Sequence, residues 1–258
     1  MQAGANRVDR RDRGVDALQG NGWRNGSAGE CGPPSGARGP AIGQTGVVSS
    51  TALLLLAMTL AVAAANWVAV ATGRKKLEHV VKPLTMVMLI VVALSLDVQS
   101  EVVLGAFVVG LIFSLIGDVF LMLPGEQWFI FGLGAFLAAH IAYITGLVIS
   151  GVTLGGLAVG LAVVAVGVLA IGVRIVSGVR RQEPTMAGPV MGYLIVISLM
   201  VVCAAGTRNP FAIAGAALFY TSDALIAWNR FVQDHSWGNV VVMITYHLGQ
   251  IGLVLSLI

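Results

Sequence analysis

Of 258 residues, 57% are hydrophobic and only 10% are charged, with a formal net charge of +3 and a mean hydropathy of +0.89. Soluble domains carry about 25% charged residues, so this composition excludes a water-soluble protein. Basic residues fall mainly in a tail and in short connections, which argues against nucleic acid as a partner, because that would need a folded basic face.

The chain opens with residues 1–46, rich in Gly and Arg and holding the stretch PPSGARGP. Such a segment buries too little apolar surface to offset its ordering entropy, so a disordered tail is expected. It holds no short apolar core with a small-residue cleavage site, and so does not read as a secretory signal. Cys31 in the tail and Cys203 in an apolar run make no disulfide or metal-ligand pattern.

From residue 47 onward, apolar runs of roughly 17–25 residues recur, each able to cross about 30 Å of hydrocarbon. They predict an all-α polytopic membrane domain over 47–258, with spans at 47–71, 82–97, 104–123, 129–149, 153–173, 189–206, 211–229 and 238–258. The second is expected to open at Lys82-Pro83, since a first-turn proline loses no hydrogen bond. The connections 72–81, 124–128, 174–188 and 230–237 carry Arg74, Lys75, Lys76, Arg174, Arg180, Arg181 and Arg230, against Arg208 in the opposite connections and Arg38 in the tail within reach of the first span, with further arginines beyond it. By the positive-inside rule these connections face the cytoplasm and both termini lie outside.

A charged side chain in hydrocarbon costs about 2.5–3.5 kcal/mol on insertion scales, so each demands a reason. Asp118 in span three and Asp223 in span seven lie at similar depth toward the basic connections. Asn66, Lys82, Tyr246 and His247 approach the same layer, roughly 5–15 Å below the surface at about 1.5 Å per residue. His140 lies nearer mid-membrane, with Tyr143 one turn deeper. Bland readings stand beside these: Asn66 as a helix-to-helix hydrogen bond, Lys82 and Arg230 as snorkelling anchors, the histidines and tyrosines as core residues. Two acids at equal depth resist that treatment.

An internal repeat supports the pairing. GLIFSLIGDVFL from Gly110 aligns with GAALFYTSDALI from Gly215, and each acid follows its glycine by eight residues. Pro83 and Pro189 precede the two acids by 35 and 34 residues, and His140 and His247 follow them by 22 and 24. The expectation is two parallel four-helix repeats about an axis along the membrane normal, with the aspartates facing each other. Lys82 precedes the first proline, whereas Gly188 precedes the second.

The strings KPLTM (82–86), GLIFSLIGDVFLMLP (110–124), GLGAFLAAHIAY (132–143), LFYTSDALIAWNRF (218–231) and TYHLGQ (245–250) together resemble the YhhN-type lysoplasmalogenase family. The resemblance implies an eight-span membrane hydrolase, in a bacterial inner (plasma) membrane, that cleaves the vinyl ether of lysoplasmalogen. The implied products are a fatty aldehyde and a glycerophospho-ethanolamine or -choline. It marks Lys82, Asp118, His140, Ser222, Asp223, Asn229 and Tyr246 as the polar set. No cofactor or metal is expected; the partners expected are a lysophospholipid substrate and membrane lipid.

Vinyl ethers hydrolyse by protonation at the β-carbon, capture of the oxocarbenium ion by water, and collapse of the hemiacetal. Two carboxylates in a low-dielectric site supply acid and base, as in glycosidases. The expected acid/base pair is Asp118 and Asp223, with His140 and Tyr246 orienting them or relaying protons. Lys82 and Arg230 would bind phosphate, and Asn66, Ser222, Asn229 and His247 would complete the substrate site. A proton-coupled transporter or lipid carrier is the alternative, opposed by the one-sided polar layer and the absence of paired broken helices.

Overall fold

The computed structural model describes residues 49–258, and the expected disordered tail lies outside the described residues. Among the described residues, eight helices are long and apolar enough to cross a membrane: α1 (Ser50–Ala71), α2 (Lys75–Ser95), α3 (Glu101–Met122), α4 (Glu126–Ile149), α5 (Leu154–Gln182), α6 (Pro184–Thr207), α7 (Pro210–Phe231) and α8 (Gly238–Leu255). No strand occurs among the described residues. In a bilayer only internally hydrogen-bonded helices or closed barrels satisfy the backbone, and this chain takes the first course.

Two boundaries differ most from the sequence expectation. The second helix begins at Lys75 rather than Lys82, so Pro83 lies inside it. Residues 75–78 (Lys-Lys-Leu-Glu) are mostly polar but good helix formers, tied by a Lys75–Glu78 ion pair at 2.9 Å. Hydropathy detects where lipid begins, not where the helix does. Proline at 83 deprives the His79 carbonyl of its partner, but the exposed His79 lies outside the apolar run, where water can replace it. Likewise α5 does not stop at 173. After a π-helical turn at Val168–Gly172 it continues to Gln182, carrying Arg180 and Arg181 in its last turn, where cations suit the helix dipole.

The odd-numbered helices start on one side and the even ones on the other. Ser49, Ser100, Thr153 and Asn209 cap α1, α3, α5 and α7 by accepting backbone N–H groups. The basic connections lie at the opposite ends. Large apolar side chains such as Leu54, Leu154 and Leu169 are exposed around the bundle, as a lipid-facing surface requires. Asn66, Lys82, Ser114, Asp118, His140, Ser222, His247 and Gln250 are buried instead.

Close packing follows the repeat. The tightest neighbours are α3 with α4 and α7 with α8. The two glycines that anchor the repeat sit in those seams: a Cβ on Gly110 would meet the Tyr143 ring, and one on Gly215 would meet the α8 backbone at Leu253 N, 2.6 Å away. The halves are not identical, because α1 also leans on α8 whereas the C-terminal turns of α5 pack on α7.

Candidate active site

Each aspartate has its own set of partners, drawn from equivalent helices of the two halves. On α3, Asp118 Oδ1 is 3.1 Å from Lys82 Nζ of α2. Its Oδ2 accepts a hydrogen bond of 2.7 Å from the Tyr246 hydroxyl of α8. Both carboxylate oxygens are therefore satisfied, and the Asp118 side chain is only 2% exposed. On α7, Asp223 Oδ2 accepts a hydrogen bond from the Tyr193 hydroxyl of α6. His140 Nε2 of α4 stands 3.8 Å from the same oxygen. The scheme is thus the same twice: an acid on the third helix of its half, one partner from the helix before it, and one from the last helix of the other half.

The chemistry of the two sets differs. A buried ion pair is destabilised by desolvation unless its geometry is close and its lone pairs are filled, and the Lys82–Asp118–Tyr246 group meets both conditions. Among the described residues no Lys or Arg forms an ion pair with Asp223. His140 Nδ1 lies 2.5 Å from the Phe136 carbonyl, which can only accept, so Nδ1 carries a proton and donates, and Nε2 is turned toward Asp223. Nε2 has no hydrogen-bond partner of its own.

No hydrogen bond joins the two carboxylates. Phe219 packs edge-on against His140 at 4.7 Å and against Tyr246 at 5.4 Å, and Phe136 meets both Phe219 and Tyr246. This aromatic cluster links the Asp118 group to the Asp223 group and fixes the rings that flank each acid.

Only Asp223 opens outward. It lines a narrow cleft of about 50 Å³ between α3, α4, α6 and α7, whose other walls include Leu121, Phe129, Leu133, Tyr193, Leu194 and Ala227. The walls are almost wholly apolar, as an acyl or alkenyl chain would require. At the end with the basic connections, Leu121 and Phe129 also line a second cavity of about 420 Å³ that contains Glu126, Glu183 and Arg230. Leu121 and Phe129 thus stand between the two cavities and line both.

The remaining sequence candidates are spread more widely. Asn66 is fully buried with neither side-chain polar atom partnered, while its neighbour Trp67 donates to His247 Nδ1 at 3.0 Å. Ser222 donates to the Val242 carbonyl of α8, a helix-to-helix contact. Asn229 faces Gly238 at the start of α8. Arg230 Nη2 donates to both carboxylate oxygens of Glu183, at 3.2 and 3.1 Å, and the guanidinium lies 3.8 Å from the Phe129 ring centre. Tyr193, Gln250, Glu126 and Glu183 are absent from the sequence-derived set. Tyr193 was open to detection, since it follows Gly188, the counterpart of Lys82, by little more than one helical turn. Among the described residues no group of three or more His, Cys, Asp or Glu could hold a metal ion.

Comparison with known proteins gives a consistent direction. The YhhN family model matches residues 77–257. Lysoplasmalogenase TMEM86B of Homo sapiens is 29% identical over 146 residues, which cover 57% of this chain and 60% of that protein. The mouse protein of the same name is 28% identical over 146 residues, with the same coverage. A lysoplasmalogenase of Mycobacterium bovis is 29% identical over 126 residues, 47% of this chain and 48% of its own length. The match thus spans about 60% of the length of the mammalian relatives. No solved structure matches the chain significantly.

Proposed function

The chain belongs to the YhhN family, and from that premise we propose that it is a membrane hydrolase of the vinyl ether bond of lysoplasmalogen-like lysophospholipids. The observation that carries the reading is Asp223: a carboxyl between Tyr193 and His140, at the wall of an apolar cleft. Relatives named lysoplasmalogenase support the reaction class.

Asp223 is the group that meets the substrate. Its carboxyl proton goes to the β-carbon of the vinyl ether, and the double-bond electrons form that new C–H bond. The resulting oxocarbenium ion is flanked by the Asp223 carboxylate, and water adds at the α-carbon. That water's proton passes to the Asp223–His140 couple, and the hemiacetal breaks its C–O bond to leave the aldehyde and the glycerol hydroxyl. The balance is one water consumed, with the acid regenerated. Tyr193 holds Asp223 in place, and His140 accepts and returns protons through Nε2.

Asp118 completes the carboxylate pair from the far side of the aromatic cluster. Lys82 and Tyr246 fix its orientation. Lys82 is committed to Asp118, so Arg230 is the phosphate anchor in this reading. The alkenyl chain lies in the apolar cleft. The placement suits a protein of a bacterial inner membrane that takes its substrate from one leaflet.

Purified protein incubated with lysoplasmalogen, with a saturated alkyl-ether analogue and with an ester lysophospholipid tests this. Aldehyde from the first alone is expected. Uptake driven by a proton gradient into proteoliposomes, without product, would instead favour a carrier. The π turn of α5 is the only such turn among the described residues, so no pair of broken helices supports that alternative.

A further inference from the structure

The narrow cleft at Asp223 has room for about four water-sized groups, enough for the ether and the first carbons of a chain but not for the rest of it. A larger apolar groove lies beside it. The groove measures about 640 Å³ and runs between α5 and α6, walled by Leu161, Val164 and Val168 on one side and by Ile195, Leu199 and Val202 on the other. Leu194 lines both spaces. It directly follows Tyr193, whose hydroxyl donates to Asp223.

The course of α5 makes the groove. Near its start α5 is pressed on α6, where a Cβ on Gly160 would lie 2.8 Å from the Ala205 Cβ and 2.9 Å from the Val202 Cα. Near its end Gly178 lies against the Phe231 carbonyl of α7 instead. The π turn at Val168–Gly172 falls between these contacts, and its extra residue offsets the helix faces before and after it. Helix α5 thus passes from α6 to α7 and leaves a gap. At the basic end Arg180 Nη2 donates to Met191 Sδ at 3.7 Å, bridging α5 and α6. The Gly160 contact closes the other end. The long flank is open to lipid, where Leu161 and Ile195 are 62% and 66% exposed. From Leu194 the groove runs eight residues along α6 to Val202, about 12 Å at 1.5 Å per residue. That length suits about nine or ten methylenes of extended chain, at about 1.25 Å each for C–C bonds of about 1.5 Å.

We propose that the groove between α5 and α6 seats the distal hydrocarbon chain of the lysolipid substrate, which enters sideways from the bilayer and turns past Leu194 to bring its ether to Asp223. The assignment rests on the hydrolase reading for the placing of the ether. The occupant follows from continuity with the cleft and from direction. A lysolipid keeps its head group at the basic connections, and beyond Leu194 the groove leads away from them into the hydrocarbon. Lipid tails are as apolar as leucine, so the chain gains no affinity by leaving the bilayer for the groove. What the groove supplies is room, and a side chain that fills it acts sterically on long chains and spares short ones.

The test uses the purified full chain in nanodiscs and a long-chain saturated 1-O-alkyl lysophospholipid, which cannot be cleaved as a vinyl ether, with a diazirine at the chain end. Photolabelling should place most adducts within 161–176 and 195–202, and unlabelled lysolipid should compete them away. Adducts elsewhere overturn the assignment. So do groove adducts that lysolipid does not displace, the result expected if a resident bilayer phospholipid or a second copy of the chain fills the groove. Leu199 lines the groove but not the cleft. Leu199→Trp should lower kcat/KM for long-chain vinyl ethers relative to short-chain ones roughly tenfold. Leu54→Trp, on the lipid-facing side of α1, should leave that ratio at the wild-type value. An unmoved ratio in Leu199→Trp also overturns the assignment. The reaction is scored separately with vinyl-ether lipids. Groove labelling without aldehyde release would contradict the hydrolase reading and keep the chain seat. Aldehyde release with labels elsewhere would do the reverse.

Discussion

Lys82 and Asp118 form an ion pair at 3.1 Å in the interior of the bundle, with side chains 6% and 2% exposed. Its counterpart at Asp223 has a tyrosine in place of the lysine. The two acids of an evident repeat have thus diverged: one is balanced by a cation and enclosed, the other is open to a cleft.

Removing one member of an enclosed pair leaves an uncompensated charge. Lys82→Met should therefore destabilise the protein by about 3–5 kcal/mol, read as a fall in thermal midpoint in detergent. Lys82→Met combined with Asp118→Asn should recover much of that stability without recovering turnover. A single variant as stable as wild type would show that the pair contributes little.

At Asp223 the same logic predicts the opposite split. Asp223→Asn keeps the shape and the Tyr193 contact, so the fold should survive while turnover falls by about 10²–10⁴-fold. Tyr193→Phe removes only the orienting hydroxyl and should cost a smaller factor, on the order of tenfold, mainly in kcat. Steady-state rates of aldehyde release on folded, monodisperse variants measure both.

The cleft makes a steric prediction. Ala227 lines it without touching either acid's hydrogen bonds. Ala227→Trp should fill much of the space for the chain, raising KM for long-chain substrates at least several-fold while short-chain analogues are affected less. Equal losses for all chain lengths would place the chain elsewhere.

The seam between α7 and α8 predicts which glycine matters. At Gly215 a Cβ would lie 2.6 Å from Leu253 N and 2.8 Å from the Gly249 carbonyl oxygen, and backbone cannot yield as a side chain can. Gly215→Leu should cost at least about 1–3 kcal/mol or prevent folding. Gly105→Ala, with nothing within 4 Å, should be neutral or slightly stabilising. Thermal unfolding of the two variants side by side decides this.

Much of this was legible in the chain. Apolar runs mark lipid, so the eight spans were readable, but the polar ends of α2 and α5 were not, because helix continues where hydrophobicity stops. Asp118, Lys82, Tyr246, Asp223 and His140 stand out as polar groups in apolar surroundings, and the structure gathers them into two groups. Tyr193 escaped notice because tyrosine in a span usually packs or anchors. Glu183 and Glu126 escaped because sidedness is read from Lys and Arg alone. Ser222 and Asn229 share the motif of Asp223 but point toward α8, as helical periodicity turns neighbours to different faces.

The most direct measurement is the isotope content of the aldehyde formed in D₂O by the wild-type protein. Protonation of the β-carbon by an exchangeable carboxyl predicts one deuterium on the carbon next to the carbonyl, found by mass spectrometry, and almost no aldehyde from Asp223→Asn. Aldehyde without that deuterium, or undiminished release by the Asp223→Asn variant, would contradict the account.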